Sequence, residues 1–225
     1  MLYPILTPSR LLSDLSGVWE FKLDNGNGFQ EEWYKEPLTD SMTMPVPASY
    51  NDLKEGIDFR DHYGWVFYQR KISMPAFVKS QRVVLRCAAV THYAKIYLNG
   101  ELIREHKGGF LPFDTEITDK LQDGDNLLTI AVNNVIDYTT LPVGGKSNMM
   151  GGMAGIGSSG SAKPQNNPNF DFFNYCGITR PVKIYTTPKD YIEDITLVPE
   201  VNGTTARLVY KVGTVGEGDC SVGGF

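Results

Sequence analysis

The sequence predicts an all-β protein, an antiparallel β-sandwich of jelly-roll type that closes near Tyr185. Three observations carry the prediction. Segments of alternating apolar and polar residues recur roughly every 10 to 20 positions, each bounded by Gly, Pro, Asn or Asp. No segment keeps an apolar 3.6-residue period over about 12 positions, as an amphipathic helix would. Asn99-Gly100, between two apolar runs, is the strongest short signal for a two-residue hairpin. A domain of roughly 185 residues buries about 70% of its unfolded surface, enough for independent stability.

The elements follow in order. Residues 16–23 alternate Trp19, Phe21 and Leu23 against Val18, Glu20 and Lys22, a strand with its aromatic face buried. Turn residues close it at 24–28. Prolines at 45 and 47 hold residues 44–51 extended, because each fixes its own φ and biases its predecessor away from helix. Residues 63–72 form an aromatic-rich strand, and 82–90 are the most apolar and therefore central one. Residues 94–103 make the hairpin, 113–118 an alternating edge piece, and 127–135 a further buried strand after the turn at 123–126. Trp19, Phe21, Phe67 and Leu85 are expected in the core. The run 144–167 is poor in large apolar residues and reads as a mobile connector. After a linker at 187–190, two more alternating strands, 192–199 and 206–212, precede a glycine-rich end. Two strands do not stabilise themselves in water, so the sequence reads as one domain over 1–186 and an incomplete second one over 187–225.

Composition narrows the function classes. The 225 residues are 41% hydrophobic and 21% charged, which fits a packed core rather than a disordered chain. A net charge of −5 with no basic run argues against a nucleic-acid partner. The start has no basic region and carries Pro4 and Pro8, unlike a signal peptide, and no apolar run of about 18 residues exists to span a membrane. Cys87, Cys176 and Cys220 are an odd number without metal-type spacing, which reads as free thiols in a reducing compartment. A soluble, cytoplasmic protein without metal or cofactor is expected.

One stretch concentrates chemistry: Asn169-Phe170-Asp171-Phe172-Phe173-Asn174-Tyr175-Cys176-Gly177. Four aromatic residues surround the carboxylate Asp171, and a glycine turn leads into the strand starting at Val182. A flexible approach, an aromatic anchor bearing a carboxylate and an exit into a strand suit the rim of a binding site. The same residues also fit a core plug with Asp171 capping a turn. Elsewhere the carboxylate pairs Glu31/Glu32 and Glu193/Asp194 read as solvated charge, since sequence spacing cannot set two carboxyls across a sugar. His62, His92 and His106 are scattered without ligand spacing, and His92 reads as a structural hydrogen-bonding group. Cys176 reads as a packed thiol. Gly144-Gly145-Lys146-Ser147 lacks the upstream glycine and following helix of a phosphate loop.

Together these segments resemble the start of a family 2 glycoside hydrolase. The resemblance is carried by Gly17-Val18-Trp19-Glu20-Phe21, Pro45-Val46-Pro47-Ala48-Ser49-Tyr50, Tyr63-Gly64-Trp65-Val66-Phe67-Tyr68-Gln69-Arg70 and His106-Lys107-Gly108-Gly109-Phe110. Asp171-Phe172-Phe173-Asn174-Tyr175-Cys176-Gly177 is similar to the β-glucuronidases in particular. The resemblance implies a galactose-binding-like jelly roll over 1–186, the start of an immunoglobulin-like sandwich over 187–225, and a catalytic TIM barrel absent from this sequence. The barrel would carry both catalytic glutamates of a retaining mechanism, so no catalytic residue is expected here and the 225 residues alone are expected to be inactive. It implies a homo-oligomer, a tetramer in the family. It also implies that Asp171 reaches from this domain into the barrel's active site and binds sugar hydroxyls, with Phe170, Phe172, Phe173 and Tyr175 holding the loop. The substrate would be a β-D-glucuronide. Another β-glycoside, such as a galactoside or galacturonide, and a non-catalytic carbohydrate-binding module are the alternatives.

Overall fold

A computed structural model describes residues 3–144, 166, 173–218, 221 and 223. Among them, ten strands pair antiparallel into two facing sheets. The larger sheet runs, in spatial order, β3 (Met42–Val46), β2 (Gly17–Leu23), β4 (Trp65–Ser73), β9 (Asp125–Asn133), β6 (Tyr93–Leu98) and β7 (Glu101–Lys107). The smaller runs β1 (Leu12–Asp14), β10 (Val182–Thr187), β5 (Arg82–Cys87) and β8 (Phe113–Glu116). The all-β sandwich expected from the alternating segments is therefore what forms, with β5 internal and β8 at an edge.

The core lies between the sheets. Trp19 and Phe21 of β2, Tyr68 of β4, Ile130 of β9 and Ile96 of β6 pack in one apolar cluster with Leu85 of β5 and Ile184 of β10. Phe21 sits edge-on to Tyr68 with ring centroids 4.9 Å apart, a favourable aromatic geometry. The indole N–H of buried Trp19 donates to the Leu15 carbonyl at 2.8 Å, so the polar handle of that ring is satisfied. Asn99 (φ 52°) and Gly100 (φ 82°) supply the two positive φ angles that a type I′ turn requires between β6 and β7.

Phe67 is buried as expected, but on the opposite face of its sheet. It clusters there with Tyr97 and Ala131 under Phe29, Trp33, Tyr34 and Leu38, so the connection between β2 and β3 covers the sheet's outer face. Gln69, 2% exposed, staples that connection. Its carbonyl accepts from the Leu38 amide at 2.8 Å, and its amide donates to the Trp33 and Glu36 carbonyls at 2.8 and 3.0 Å. β4 is thus buried on both faces at its centre, which a single alternating strand would not be.

Three departures come from short elements. The extended run read over 44–51 ends at Val46. The chain then turns into the one-turn helices α1 (Tyr50–Leu53) and α2 (Ile57–Arg60), too short to show a 3.6-residue period. β1, only three residues long, went unread because its pairing with β10 is long-range. The mobile connector expected at 144–167 lies, apart from Gly144 and Asn166, outside the described residues, as does Cys220.

The region after Thr187 forms β11 (Tyr191–Asn202) and β12 (Thr205–Val215), longer than the sequence signal and paired as one hairpin. Leu197, Val201 and Leu208 remain 58%, 75% and 57% exposed. Where the hairpin leaves the sandwich, the Arg82 guanidinium lies 4.6 Å over the Tyr191 ring. Beside that junction, on the outer face of the smaller sheet, Arg86 pairs with Asp114 at 3.0 Å, and Asp114 also accepts from the Tyr185 hydroxyl at 2.9 Å.

Candidate functional site

Asp171, the binding residue implied by the resemblance, lies outside the described residues, as do Phe170 and Phe172. The residues that hold both ends of its segment are described. The side-chain amide of Asn166 donates to the Asn134 carbonyl at 3.0 Å, and that of Asn174 donates to the same oxygen at 2.9 Å. Both lone pairs of one carbonyl are therefore used, and the chain on either side of Asp171 is tied to a single atom. Asn166 is held a second time, its side-chain Oδ1 accepting the Ile136 amide at 3.0 Å.

Asn134 is a rigid anchor because nearly every polar group it has is engaged in the sandwich. It follows the last residue of β9 and is 2% exposed. Its amide nitrogen donates to the Gly64 carbonyl at 3.1 Å, and its side-chain oxygen accepts from the Gly64 amide at 2.9 Å. Its side-chain NH2 contacts the Tyr50 hydroxyl at 2.9 Å, the His62 carbonyl at 2.6 Å and the Cys176 Sγ at 3.5 Å.

From Asn174 onward the chain is pinned to the α1 region. The Asn51 side chain donates to the Asn174 carbonyl at 2.8 Å and accepts from the Cys176 amide at 3.2 Å. The Tyr50 amide donates to the Cys176 carbonyl at 3.2 Å, and Ala48 to the Ile178 carbonyl at 2.8 Å. Gly177 forms an antiparallel bridge with Thr91. Of the four aromatic residues expected to hold the loop, Phe173 and Tyr175 are described. Phe173 and Tyr175 pack edge-on to each other at 4.8 Å under the Arg60 guanidinium, yet Tyr175 is 47% exposed. Polar side chains fix the backbone from Asn174 to Cys176.

His92 is the structural histidine the sequence indicated. It is 1% exposed, and its Nε2 lies 2.6 Å from the Asn174 Oδ1. Because the Asn174 NH2 is committed to Asn134, its oxygen faces the ring, which assigns the proton to Nε2 and leaves Nδ1 as a lone pair. That Nδ1 has no hydrogen-bond partner among the described residues. Burial lowers the His92 pKa, opposed by the bond to Asn174. Burial likewise lowers His62, whose Nε2 bonds the Trp65 carbonyl at 2.9 Å, and pushes the Cys176 thiol up to about 11. Cys176 is a packed thiol, not a nucleophile.

The other constellations take structural roles. Glu31 accepts from the Trp33 indole at 2.8 Å, Glu32 pairs with Lys35 at 2.7 Å, and Glu193 and Asp194 lie exposed on β11. Among the described residues, no group of three or more His, Cys, Asp or Glu side chains could hold a metal ion. The anchors Asn51, Asn134 and Asn166 were not singled out from the sequence. Their partners lie far along the chain, and no local pattern marks them.

The buried His92 and the half-buried His62 and His106 give an expected pH dependence. Burial lowers the pKa of His62, His92 and His106 in the folded state. The unfolded chain therefore takes up protons that the folded chain resists. Stability is whole above about pH 6.5 and falls as the pH drops below it. Glu105, held down by the Tyr93 hydroxyl, and Asp137, held down by Thr139, lose stabilisation only below about pH 4.5. Tm should fall between pH 7.5 and 5.5, and less so in His92→Gln. Equal Tm values at the two pH values would refute this.

Residues 12–188 match the family described as glycosyl hydrolases family 2, sugar binding domain. The β-glucuronidase of Streptococcus agalactiae is 41% identical over 203 residues, which are 90% of this chain and 32% of that protein. The structure of an uncultured Clostridium sp. β-glucuronidase superposes with a TM-score of 0.85 at 44% identity, over 95% of this chain and 35% of that one. That of Bifidobacterium dentium β-glucuronidase complexed with coumarin-3-O-glucuronide gives 0.84 at 41% identity, over 96% and 38%. The chain thus spans about a third of the length of the relatives it matches.

Proposed function

The chain belongs to the family 2 glycosyl hydrolases through their sugar-binding domain, and from that premise we propose that it serves a β-glucuronidase. The complete enzyme would release D-glucuronic acid from β-D-glucuronides with retention, its acid/base and nucleophilic glutamates supplied by a barrel outside this sequence. A retaining pair sits about 5 to 5.5 Å apart across the glycosidic bond, with the acid then serving as base. The sandwich's part is to present Asp171 to the sugar. An ionised carboxylate only accepts hydrogen bonds, and its two oxygens suit two neighbouring hydroxyls. Assembly as a homo-oligomer belongs to the same proposal.

The observation that carries this reading is the likeness, over 96% of the chain, to a protein solved with a bound glucuronide. The test has two parts. Extending the reading frame beyond Phe225 should reveal a barrel with two glutamates, whereas a stop codon there would favour a free-standing binding module. The complete protein should then hydrolyse an aryl β-glucuronide at least about a hundredfold faster, in kcat/KM, than the matching β-galactoside. The 225 residues alone should show no turnover above background. A complete protein that prefers the galactoside would overturn the substrate assignment.

A further inference from the structure

We propose that Asn202, at the tip of the β11–β12 hairpin, is a site of spontaneous deamidation. It is the member of the chain's four Asn-Gly pairs that folding leaves able to react. The pairs are Asn25-Gly26, Asn27-Gly28, Asn99-Gly100 and Asn202-Gly203. In such a pair the backbone nitrogen of the glycine attacks the asparagine side-chain amide, and no Cβ blocks its approach. By local sequence the four are equivalent, so the fold decides among them.

Asn99 is held hardest. Its Oδ1 accepts the Leu127 amide at 2.9 Å, and its Nδ2 donates to the Asn126 Oδ1 at 2.8 Å. The turn is also crowded, since a Cβ on Gly100 would stand 3.1 Å from the Lys35 Cγ. Asn25 and Asn27 are exposed, but the nitrogens that would attack them are engaged. The Gly26 and Gly28 amides both donate to the Asp24 Oδ1, at 2.8 and 2.9 Å. The attacking form is the deprotonated amide, and a carboxylate beside it disfavours a second negative charge.

Asn202 lacks these restraints. It is exposed, and its side chain bonds to none of the described residues. The Gly203 amide has no backbone partner among them either, and a Cβ added there would meet nothing within 4 Å. Gly203, with φ +61°, is the first of the two turn residues between Asn202 and Thr205, as in a type II′ hairpin. Both strands are exposed on either side of the tip, so the turn can open locally while the sandwich stays folded.

In the opened turn the Gly203 nitrogen bonds to the Asn202 Cγ and loses its proton, the Cγ–Nδ2 bond breaks, and ammonia leaves. The resulting succinimide adds water at either carbonyl, giving aspartate or isoaspartate. Water is the only co-reactant and no electrons are exchanged. The product gains one negative charge, and isoaspartate also lengthens the backbone by one methylene where Asn202 pairs with Thr205.

The test keeps the 225-residue chain folded at mildly alkaline pH and follows each Asn-Gly pair by peptide mapping with mass spectrometry. Isoaspartate is identified by enzymatic methylation. Each bond that must break lowers the reactive population by up to about tenfold. Asn202 should therefore convert at least about tenfold faster than Asn25 and Asn27, and about a hundredfold faster than Asn99. In concentrated urea the four should convert at similar rates, and Gly203→Ala should slow Asn202 several-fold in the folded chain. Conversion of any other pair as fast as Asn202 in the folded chain would overturn the assignment. So would an intact Asn202 after a time in which the urea-treated chain has converted.

Discussion

Gly177→Ala is expected to destabilise the sandwich by about 2 to 6 kcal/mol, from backbone strain and overpacking together. Gly177 has φ +118°, a conformation that residues with a side chain rarely adopt. Its missing Cβ would stand 2.6 Å from the Tyr68 hydroxyl oxygen, 3.1 Å from Tyr50 Cδ1 and 3.2 Å from the Ala48 carbonyl oxygen. None of these neighbours can give way cheaply. Tyr50 and Tyr68 are both fully buried and packed on Phe21, and Ala48 O is backbone. The bridge to Thr91 would shift with it, and that bridge orders the exit of the segment carrying Asp171. Gly203, at the tip of the β11–β12 hairpin, is the control. It has φ +61° with nothing within 4 Å of an added Cβ, so Gly203→Ala should cost only about 1 kcal/mol. Equilibrium unfolding of both variants decides the matter, and equal losses would show that the contacts at Gly177 relax. Against a total stability of about 5 to 15 kcal/mol, the larger loss could unfold the protein at 37 °C.

Much of the fold was legible because its strands alternate. Trp19 and Phe21 declare one face of β2, and Asn99-Gly100 declares the β6–β7 turn, since each rule acts within a few residues. Phe67 shows where such rules stop. Its burial could be read, but not that Phe29 and Trp33 cover it on the outer face, because nothing local links a β2–β3 connection to a strand 30 residues on. The candidate stretch around Asp171 stood out by its aromatic residues, but its role toward a sugar came only through the resemblance. Among the described residues, the backbone that follows is fixed by a set of asparagines. Asn51, Asn134 and Asn174 join residues from α1, the end of β9 and the final loop through bonds of long sequence separation. An asparagine in a loop has the same local signature whether it is solvated or buried and bonded, so the sequence marks the turn and not the anchor.

Asp171→Ala in the complete enzyme should lower kcat/KM roughly 10- to 150-fold with little change in Tm. A hydrogen bond to a charged group contributes on the order of 1.5 to 3 kcal/mol, and the carboxylate would bind sugar hydroxyls in both ground and transition states. The loss should therefore appear chiefly in KM. Asp171→Asn separates charge from shape: it keeps one acceptor oxygen but adds donors and removes the charge, so it should fall between the wild type and Ala. The paired Tm measurement tests the competing role. A carboxylate facing an open pocket leaves stability nearly untouched when truncated, whereas one capping a turn costs about 1 kcal/mol, a shift of several degrees. An unchanged kcat/KM with a lowered Tm would make Asp171 a structural cap.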